Sequence, residues 1–253
     1  MEAGSLGRRA FIFALSLSAV GRGRVRPLIL ISANAEWKVV KELLLPKRVE
    51  TSPHGEWFIG PCDAVFFHGG WGKIAAAAST EYAIARWNPR LVVNLGTCGG
   101  VAGSIDRYAL VLAEKTIVYD IVEMMGDSAE AIRHYSTEID LSWLSAPVTA
   151  KMPALIRATL LSADRDLAPA ELRGLRQKYG MRAGDWESGA IAWVAVRKHK
   201  RRLLILRGVS DLVSEAGGGQ AYGKPEEFVS GTRVVMQKLL DTLPDWLPGA
   251  HAL

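Results

Sequence analysis

Short apolar runs alternate with helix-forming segments along most of this chain, and this alternation restricts the fold to a few architectures. Each run is apolar on consecutive positions, which is typical of a strand that is covered on both faces of a sheet. The runs are Leu28–Ile31, Ala64–Phe67, Leu91–Val93, Ala109–Ala113, Ala158–Leu161 and Leu203–Leu206. Strands that alternate with helices predict an α/β domain with three layers, α/β/α, and a mainly parallel or mixed central sheet.

The first segment of the chain differs from the rest. Arg8 and Arg9 precede an apolar run from Ala10 to Val20, and further arginines follow it. The run is too short to span a bilayer, and its pattern resembles a secretory or twin-arginine signal. Basic residues after the run argue against export. We therefore expect an N-terminal extension over residues 1–26, one domain over residues 27–246 and a cytoplasmic location, with export as the alternative.

Composition excludes several classes of partner. The 31 basic and 26 acidic residues leave a net charge of +5, and they are scattered along the chain. The basic clusters are not interleaved with aromatic residues, so we expect neither a nucleic acid nor a membrane as partner. The 2 cysteines and 5 histidines show no metal-binding spacing. No metal and no cofactor are predicted.

A glycine-rich stretch follows the third apolar run. Its sequence is Asn94-Leu95-Gly96-Thr97-Cys98-Gly99-Gly100. Glycines let the backbone adopt unusual angles and approach a small molecule closely. In open α/β sheets, ligands bind beyond the carboxyl ends of the strands. The stretch is therefore predicted to be a loop at a binding site, and a tight turn without a ligand is the alternative.

Several predicted strands end at a polar residue. These residues are Glu36, Thr97, Asp164, Glu187 and Asp211. Each alone is also typical of a helix cap or a turn. Because parallel strands end at one edge of a sheet, we expect the five side chains to converge. Carboxylates in different environments can then divide acid and base roles between them near neutral pH.

Three motifs together resemble the purine nucleoside phosphorylase and nucleosidase superfamily, and most of all its methylthioadenosine/S-adenosylhomocysteine nucleosidase branch. They are the glycine-rich stretch, the segment Asp185-Trp186-Glu187-Ser188-Gly189-Ala190-Ile191-Ala192, and Arg207-Gly208-Val209-Ser210-Asp211. They occur in the order of the family, and weaker matches extend the resemblance over residues 27–243. The resemblance implies cleavage of an N-glycosidic bond in a nucleoside.

The resemblance also assigns roles to individual residues. Asp211 matches the aspartate that protonates the purine N7, and Glu36 matches the glutamate that orients the attacking water. Glu187 matches the glutamate that binds the ribose hydroxyls, where its charge also favours the developing positive charge on the sugar. Thr97 occupies the hydroxyl position beside the water. Trp186 occupies an apolar position near the ribose and base.

Four further residues are expected to contact the substrate: Gly99, Asp185 and Ser210, which lie in these motifs, and Leu167, which follows Asp166. One departure from the branch concerns the base. Asp166 stands where the adenosine-derivative nucleosidases carry a phenylalanine that stacks on the base.

The resemblance implies a homodimeric nucleosidase that hydrolyses a purine nucleoside or thionucleoside to free base and sugar. One alternative is a phosphate-dependent phosphorylase of the same fold. Another is a protein that binds nucleosides without catalysis. Asn94 favours water as the nucleophile, because phosphorylases of the superfamily commonly carry an arginine there. An arginine is also absent from the loop after the first strand, Ser32 to Glu36.

Overall fold

A mixed sheet of 11 strands runs through the part of the chain that this computed structural model describes, residues 25–253. The signal-like pattern in residues 1–24 lies outside the described residues. The strands are β1 (Leu28–Ile31), β2 (Glu50–Ser52), β3 (Gly55–Ile59), β4 (Val65–His68), β5 (Leu91–Val101), β6 (Leu110–Val118), β7 (Thr137–Glu138), β8 (Leu155–Ser162), β9 (Ala183–Asp185), β10 (Arg202–Ser214) and β11 (Gly218–Gly219).

Helices connect most of these strands and pack on the sheet. They are α1 (Asn34–Leu44), α2 (Lys73–Trp87), α3 (Ser128–Tyr135), α4 (Ala146–Thr149), α5 (Leu172–Tyr179), α6 (Ser188–Ala192) and α7 (Pro225–Ala252). Short 3₁₀ turns cover Pro61–Asp63 and Pro169–Glu171, and a π-helical turn, Trp193–Lys198, follows α6.

The strand order is β11-β10-β6-β8-β9-β5-β1-β4-β3-β2, and β7 pairs with β6. Parallel pairs join β1 to β4 and β5, β5 to β10, and β8 to β6 and β9. The remaining pairs are antiparallel. The additional pairing of β5 with β10 closes β10, β6, β8, β9 and β5 into a ring. The predicted α/β fold with a mixed central sheet is confirmed.

Two predicted strand ends are wrong. β5 does not stop before the glycines but continues through them to Val101, and β10 continues past Asp211 to Ser214. The two extensions pair with each other, with a shift of register between Val209 and Asp211. Glycine has a weak preference for strands, which is why the glycine cluster predicts a loop. Here glycine is needed for space, because a Cβ on Gly96 would lie 2.2 Å from Arg207 Nη1.

The ends of the domain also differ in detail from the prediction. The last helix continues to Ala252, beyond the expected limit at residue 246, and Leu247 and Ala250 on it are buried. The backbone oxygen of Val25 lies 2.9 Å from His251 Nε2, so packing begins before residue 27. Within residues 25–253, no helix is both long enough and apolar enough to cross a bilayer.

Candidate active site

A cavity of about 640 Å³ lies where strands β5, β9 and β10 meet the N-terminus of α1. All nine predicted site residues line it: Glu36, Thr97, Gly99, Leu167, Asp185, Trp186, Glu187, Ser210 and Asp211. Asp164, the other polar residue at a strand end, is not among the lining residues. Its carboxylate accepts a hydrogen bond from the backbone N–H of Lys73 at 2.7 Å.

Glu36 is held in place by three hydrogen-bond donors. It lies in the first turn of α1 and is 1% exposed. Its Oε1 accepts hydrogen bonds from the backbone N–H of Thr97 at 2.6 Å and from Thr97 Oγ1 at 2.8 Å. Its Oε2 accepts one from the N–H of Ala33 at 3.1 Å. Because every contact supplies a donor, the geometry suits a carboxylate that accepts a further proton or hydrogen bond.

Asp211 projects into the cavity from the irregular part of β10. Ser210 Oγ donates a hydrogen bond of 2.7 Å to Asp211 Oδ1. Burial raises the pKa of Asp211 above its usual value. The charge of Asp166 raises this pKa further, whereas the Ser210 hydrogen bond and the charge of Arg107 lower it. A carboxyl group with a raised pKa suits the donation of a proton near neutral pH.

Arg107 is tied to the backbone beside this acid. Its Nε donates a hydrogen bond of 2.8 Å to the carbonyl oxygen of Ser210, and its Nη2 lies 3.1 Å from Glu227 Oε2. Arg107 therefore links β10 to the first turn of α7. Its contact on β10 is Ser210, the residue that precedes Asp211.

Glu187 is the third carboxylate of the cavity. Its Oε1 accepts a hydrogen bond of 3.1 Å from the N–H of Gly72, and its Oε2 lies 3.4 Å from Arg207 Nη2. Burial raises the pKa of Glu187 to about 8. The nearby charge of Arg207 opposes this shift, and the charges of Asp185 and Glu36 add to it. Glu187 can thus change its protonation state near neutral pH.

Arg207 is one of the site residues to which the sequence motifs assign no role. It is 1% exposed, and its Nη2 lies 2.8 Å from Asp185 Oδ2. Its guanidinium also donates hydrogen bonds to Asn94 Oδ1 at 2.8 Å, Ser188 Oγ at 3.1 Å and the carbonyl of Thr97 at 3.2 Å. Burial alone would lower the pKa of Arg207, but the surrounding carboxylates raise it above its usual value.

A signal for Arg207 was present in the sequence. It is the charged residue within the apolar run Leu203–Val209. An arginine in a buried strand must meet carboxylates or lose its solvation without compensation. This pattern therefore predicts a buried acidic partner. Only the structure shows that this partner is Asp185.

Aromatic side chains form one wall of the cavity. The rings of Trp71 and Trp186 are 5.6 Å apart at 53°. Tyr222, whose hydroxyl donates a hydrogen bond of 2.6 Å to the carbonyl of Leu167, and Phe228 also line the cavity. Trp71, Tyr222 and Phe228 were not predicted, because they lie outside the three motifs.

The lining of the cavity is strongly acidic. Among the described residues, five acidic side chains line it: Glu36, Asp166, Asp185, Glu187 and Asp211. Arg165 is the one basic residue in that lining, and its guanidinium contacts Glu171 Oε1 and Oε2 at 3.0 and 2.5 Å. Within residues 25–253 there is no group of three or more side chains placed to bind a metal ion. The cavity therefore favours a neutral or cationic ligand over an anion.

The family model described as "Phosphorylase superfamily" matches residues 48–243. Two curated relatives are each 27% identical to this chain, and both are 5'-methylthioadenosine/S-adenosylhomocysteine nucleosidases. The relative from Geobacillus kaustophilus (strain HTA426) aligns over 165 residues, which are 62% of this chain and 70% of that protein. The relative from Marinomonas sp. (strain MWYL1) aligns over 89 residues, which are 34% of this chain and 38% of that protein.

Solved structures extend the similarity to nearly the whole fold. The nucleosidase of the same description from Colwellia psychrerythraea 34H, in complex with adenine, has a TM-score of 0.71 and 19% identity, and the match covers 90% of this chain and 96% of that one. The Neisseria meningitidis nucleosidase in complex with methylthio-immucillin-A has a TM-score of 0.69 and 14% identity, over 89% and 100%.

Proposed function

This chain belongs to the phosphorylase superfamily, and we propose that it is a nucleosidase that hydrolyses the N-glycosidic bond of a purine nucleoside or thionucleoside. The observation that carries the proposal is the placement of the buried residues Glu36, Glu187 and Asp211 on one cavity, each with different hydrogen-bond partners. The curated relatives are nucleosidases, which supports the same reaction class.

Each carboxylate has a separate part in the reaction. Asp211 donates a proton to N7 of the base, so that the base accepts the electron pair of the breaking glycosidic bond. Glu36 accepts a hydrogen bond from a water molecule and takes its proton as the new bond to the sugar carbon forms. Glu187 binds the ribose hydroxyls, and in its ionised form its negative charge stabilises the positive charge that develops on the sugar. The products are free base and free sugar.

The charge of the cavity favours water over phosphate as the nucleophile. A phosphorylase has to hold a phosphate dianion beside the sugar, and this requires guanidinium or backbone donors directed at its oxygens. Here Arg207 forms ion pairs with Asp185 and Glu187, and Arg165 forms an ion pair with Glu171. Glu36 would repel the dianion at the position of attack.

The walls of the cavity suit a substrate with an apolar 5' group and a polar base edge. Trp71 and Trp186 supply the apolar surface. Asp166 lines the cavity, and its charge raises the pKa of Asp211. Because Asp211 is the proton donor to the base, Asp166 also lies near the base. A carboxylate there accepts hydrogen bonds from N–H groups of a purine, in place of aromatic stacking.

The experiment that tests the proposal measures base release from adenosine, methylthioadenosine, inosine and guanosine with wild type and Asp211→Asn. We expect Asp211→Asn to lower the rate at least 100-fold, because the amide keeps the shape but cannot deliver a proton. Nucleoside binding should persist. Asp241→Asn, at an exposed position of α7, is the control and should retain wild-type activity. A rate for Asp211→Asn within a few-fold of wild type would exclude this mechanism.

We also propose that the enzyme is a homodimer. Large apolar side chains are exposed in two segments, one of which carries the cavity-lining Trp71: Trp71, Ile74, Val122, Met124 and Met125. Lys73 joins the two segments that carry them, because its Nζ contacts Asp120. An exposed apolar surface of this kind is typical of an interface. Wild type should have a dimeric mass at micromolar concentration and Met125→Glu a monomeric one, whereas a monomeric wild type would contradict the proposal.

A further inference from the structure

A second cavity, of about 620 Å³, lies between the β6–β7 pair, α3, α5 and the π-helical turn. It shares no lining residue with the candidate active site. Its volume falls within the range of known small-molecule sites, roughly 300–1,000 Å³. Neither the resemblance nor the reaction proposed above assigns a role to it.

The cavity is basic, in contrast to the acidic active site. Five basic residues line it: Lys115, Arg133, Lys178, Arg197 and Lys200. Glu138 is the one acidic residue in that lining, and its Oε1 lies 2.6 Å from Lys115 Nζ. Arg133 Nη2 lies 3.2 Å from Asp127 Oδ2. Two of the five positive charges are therefore paired with a carboxylate.

Three positive charges have no ion-pair partner within residues 25–253: Lys178, Arg197 and Lys200. Arg197 Nη1 donates a hydrogen bond of 3.0 Å to the carbonyl of Ser136, which holds the guanidinium at the cavity. Lys178 Nζ lies 5.0 Å from the centre of the Tyr179 ring. Three unpaired cations around one concave surface attract an anion with several oxygen atoms.

Lys200 adopts a backbone conformation that favours glycine. Its φ is 53°, and its N–H donates a hydrogen bond of 3.1 Å to Val196 at the end of the π-helical turn. Glycine is the usual residue at such a position because it has no Cβ. A lysine there keeps a charged side chain at the cavity despite the unfavourable backbone angle.

The interior of the cavity contributes apolar and aromatic surface. Ile117 is buried, and Ile132, Val196 and Tyr179 are partly buried. Thr137 also lines the cavity, and its buried hydroxyl has no hydrogen-bond partner among the described residues. Such a lining can cover the apolar or ring portion of a ligand whose anionic group contacts the basic rim.

We propose that this cavity is a second binding site, and that it takes an organic phosphate of nucleotide size. The phosphate contacts Lys178, Arg197 and Lys200, and the organic portion packs against Tyr179 and Ile132. The site is separate from the reaction proposed above and does not depend on it.

Calorimetry with uridine 5'-monophosphate, uridine and inorganic phosphate tests the proposal. We expect the wild-type protein to bind the monophosphate more tightly than either fragment, because both parts of the ligand are contacted. Arg197→Gln and Lys200→Gly should each raise Kd about tenfold or more, which corresponds to the loss of one charge-assisted hydrogen bond. Lys47→Gln, at an exposed position outside the lining, is the matched control and should bind as wild type does.

Two readouts separate binding from folding and from the active site. Lys200→Gly should not lower the melting temperature, because glycine suits the positive φ. Asp211→Asn should leave binding of the monophosphate unchanged. The proposal is overturned if wild type does not bind the monophosphate, if uridine binds equally well, or if Arg197→Gln and Lys200→Gly bind as wild type does. Loss of binding in Asp211→Asn alone would place the ligand in the active site and also overturn it.

Discussion

Replacement of Arg207 by methionine should destabilise the protein strongly and in a pH-dependent way. The guanidinium of Arg207 lies 2.8 Å from Asp185 and 3.4 Å from Glu187, and all three residues are buried. Methionine fills similar space but leaves the two carboxylates without their cation. Breaking a buried ion pair by removing one partner costs about 3–5 kcal/mol. We expect a loss of this size in the free energy of unfolding at pH 8.5.

The sign of the pH dependence follows from linkage. The folded-state pKa of Glu187 is already raised from 4.5 to about 8, so the folded protein binds a proton that the unfolded chain releases between these values. Stability therefore falls as pH rises through this range. Arg207 lowers the pKa of Glu187, so its removal moves the upper limit of the range higher. Arg207→Met should accordingly lose less stability, relative to wild type, at pH 5.5 than at pH 8.5.

Urea unfolding at the two pH values measures both effects. Arg233→Met is the matched control, because its 2.8 Å contact with Glu42 joins side chains that are 58% and 44% exposed. That surface pair should contribute less than about 1 kcal/mol. A cost below about 1 kcal/mol for Arg207→Met, with no change between pH 5.5 and 8.5, would refute the reasoning.

Three further substitutions test separate parts of the account. Gly96→Ala should lower the free energy of unfolding in urea by about 1–3 kcal/mol and should lower activity, because its Cβ would lie 2.2 Å from Arg207 Nη1. Gly174→Ala is the control and should not destabilise the protein, because a Cβ there meets no atom within 4 Å. Arg107→Met should move the alkaline limb of the pH profile of kcat to higher pH, because Arg107 lowers the pKa of Asp211. Arg107→Lys should restore the position of that limb. An unmoved limb for Arg107→Met would show that Arg107 does not affect the titration of Asp211. Asp166→Asn should change relative kcat/KM values across the nucleoside panel, and an unchanged ranking would show that Asp166 does not contact the base.

The α/β architecture was predictable because buried strands have a strong pattern. Leu28–Ile31 and Leu203–Leu206 are apolar on consecutive positions, and both lie inside strands in the structure. The ordered motifs likewise predicted which residues share a cavity. Glu36 and Asp211 are far apart in sequence, and only the resemblance and the sheet geometry connect them.

The remaining features depend on contacts that local sequence does not encode. The glycines of β5 belong to a strand because they pair with β10, and glycine is needed at position 96 because Arg207 and Glu36 occupy the space beside it. The aromatic wall depends on Trp71 and Tyr222, which come from separate loops and have no shared spacing. The pairing of Arg207 with Asp185 similarly needs the three-dimensional arrangement, although an arginine in an apolar strand indicates a buried acid.

The central claim is that water attacks the sugar, assisted by Glu36. The measurement that tests it most directly is base release in phosphate-free buffer and in saturating phosphate, with the sugar product identified in both. Equal rates and free sugar are expected in both buffers. Glu36→Gln should lower the rate about 100-fold or more, because the amide cannot take the proton of water. A strict requirement for phosphate, with sugar 1-phosphate as the product, would contradict it.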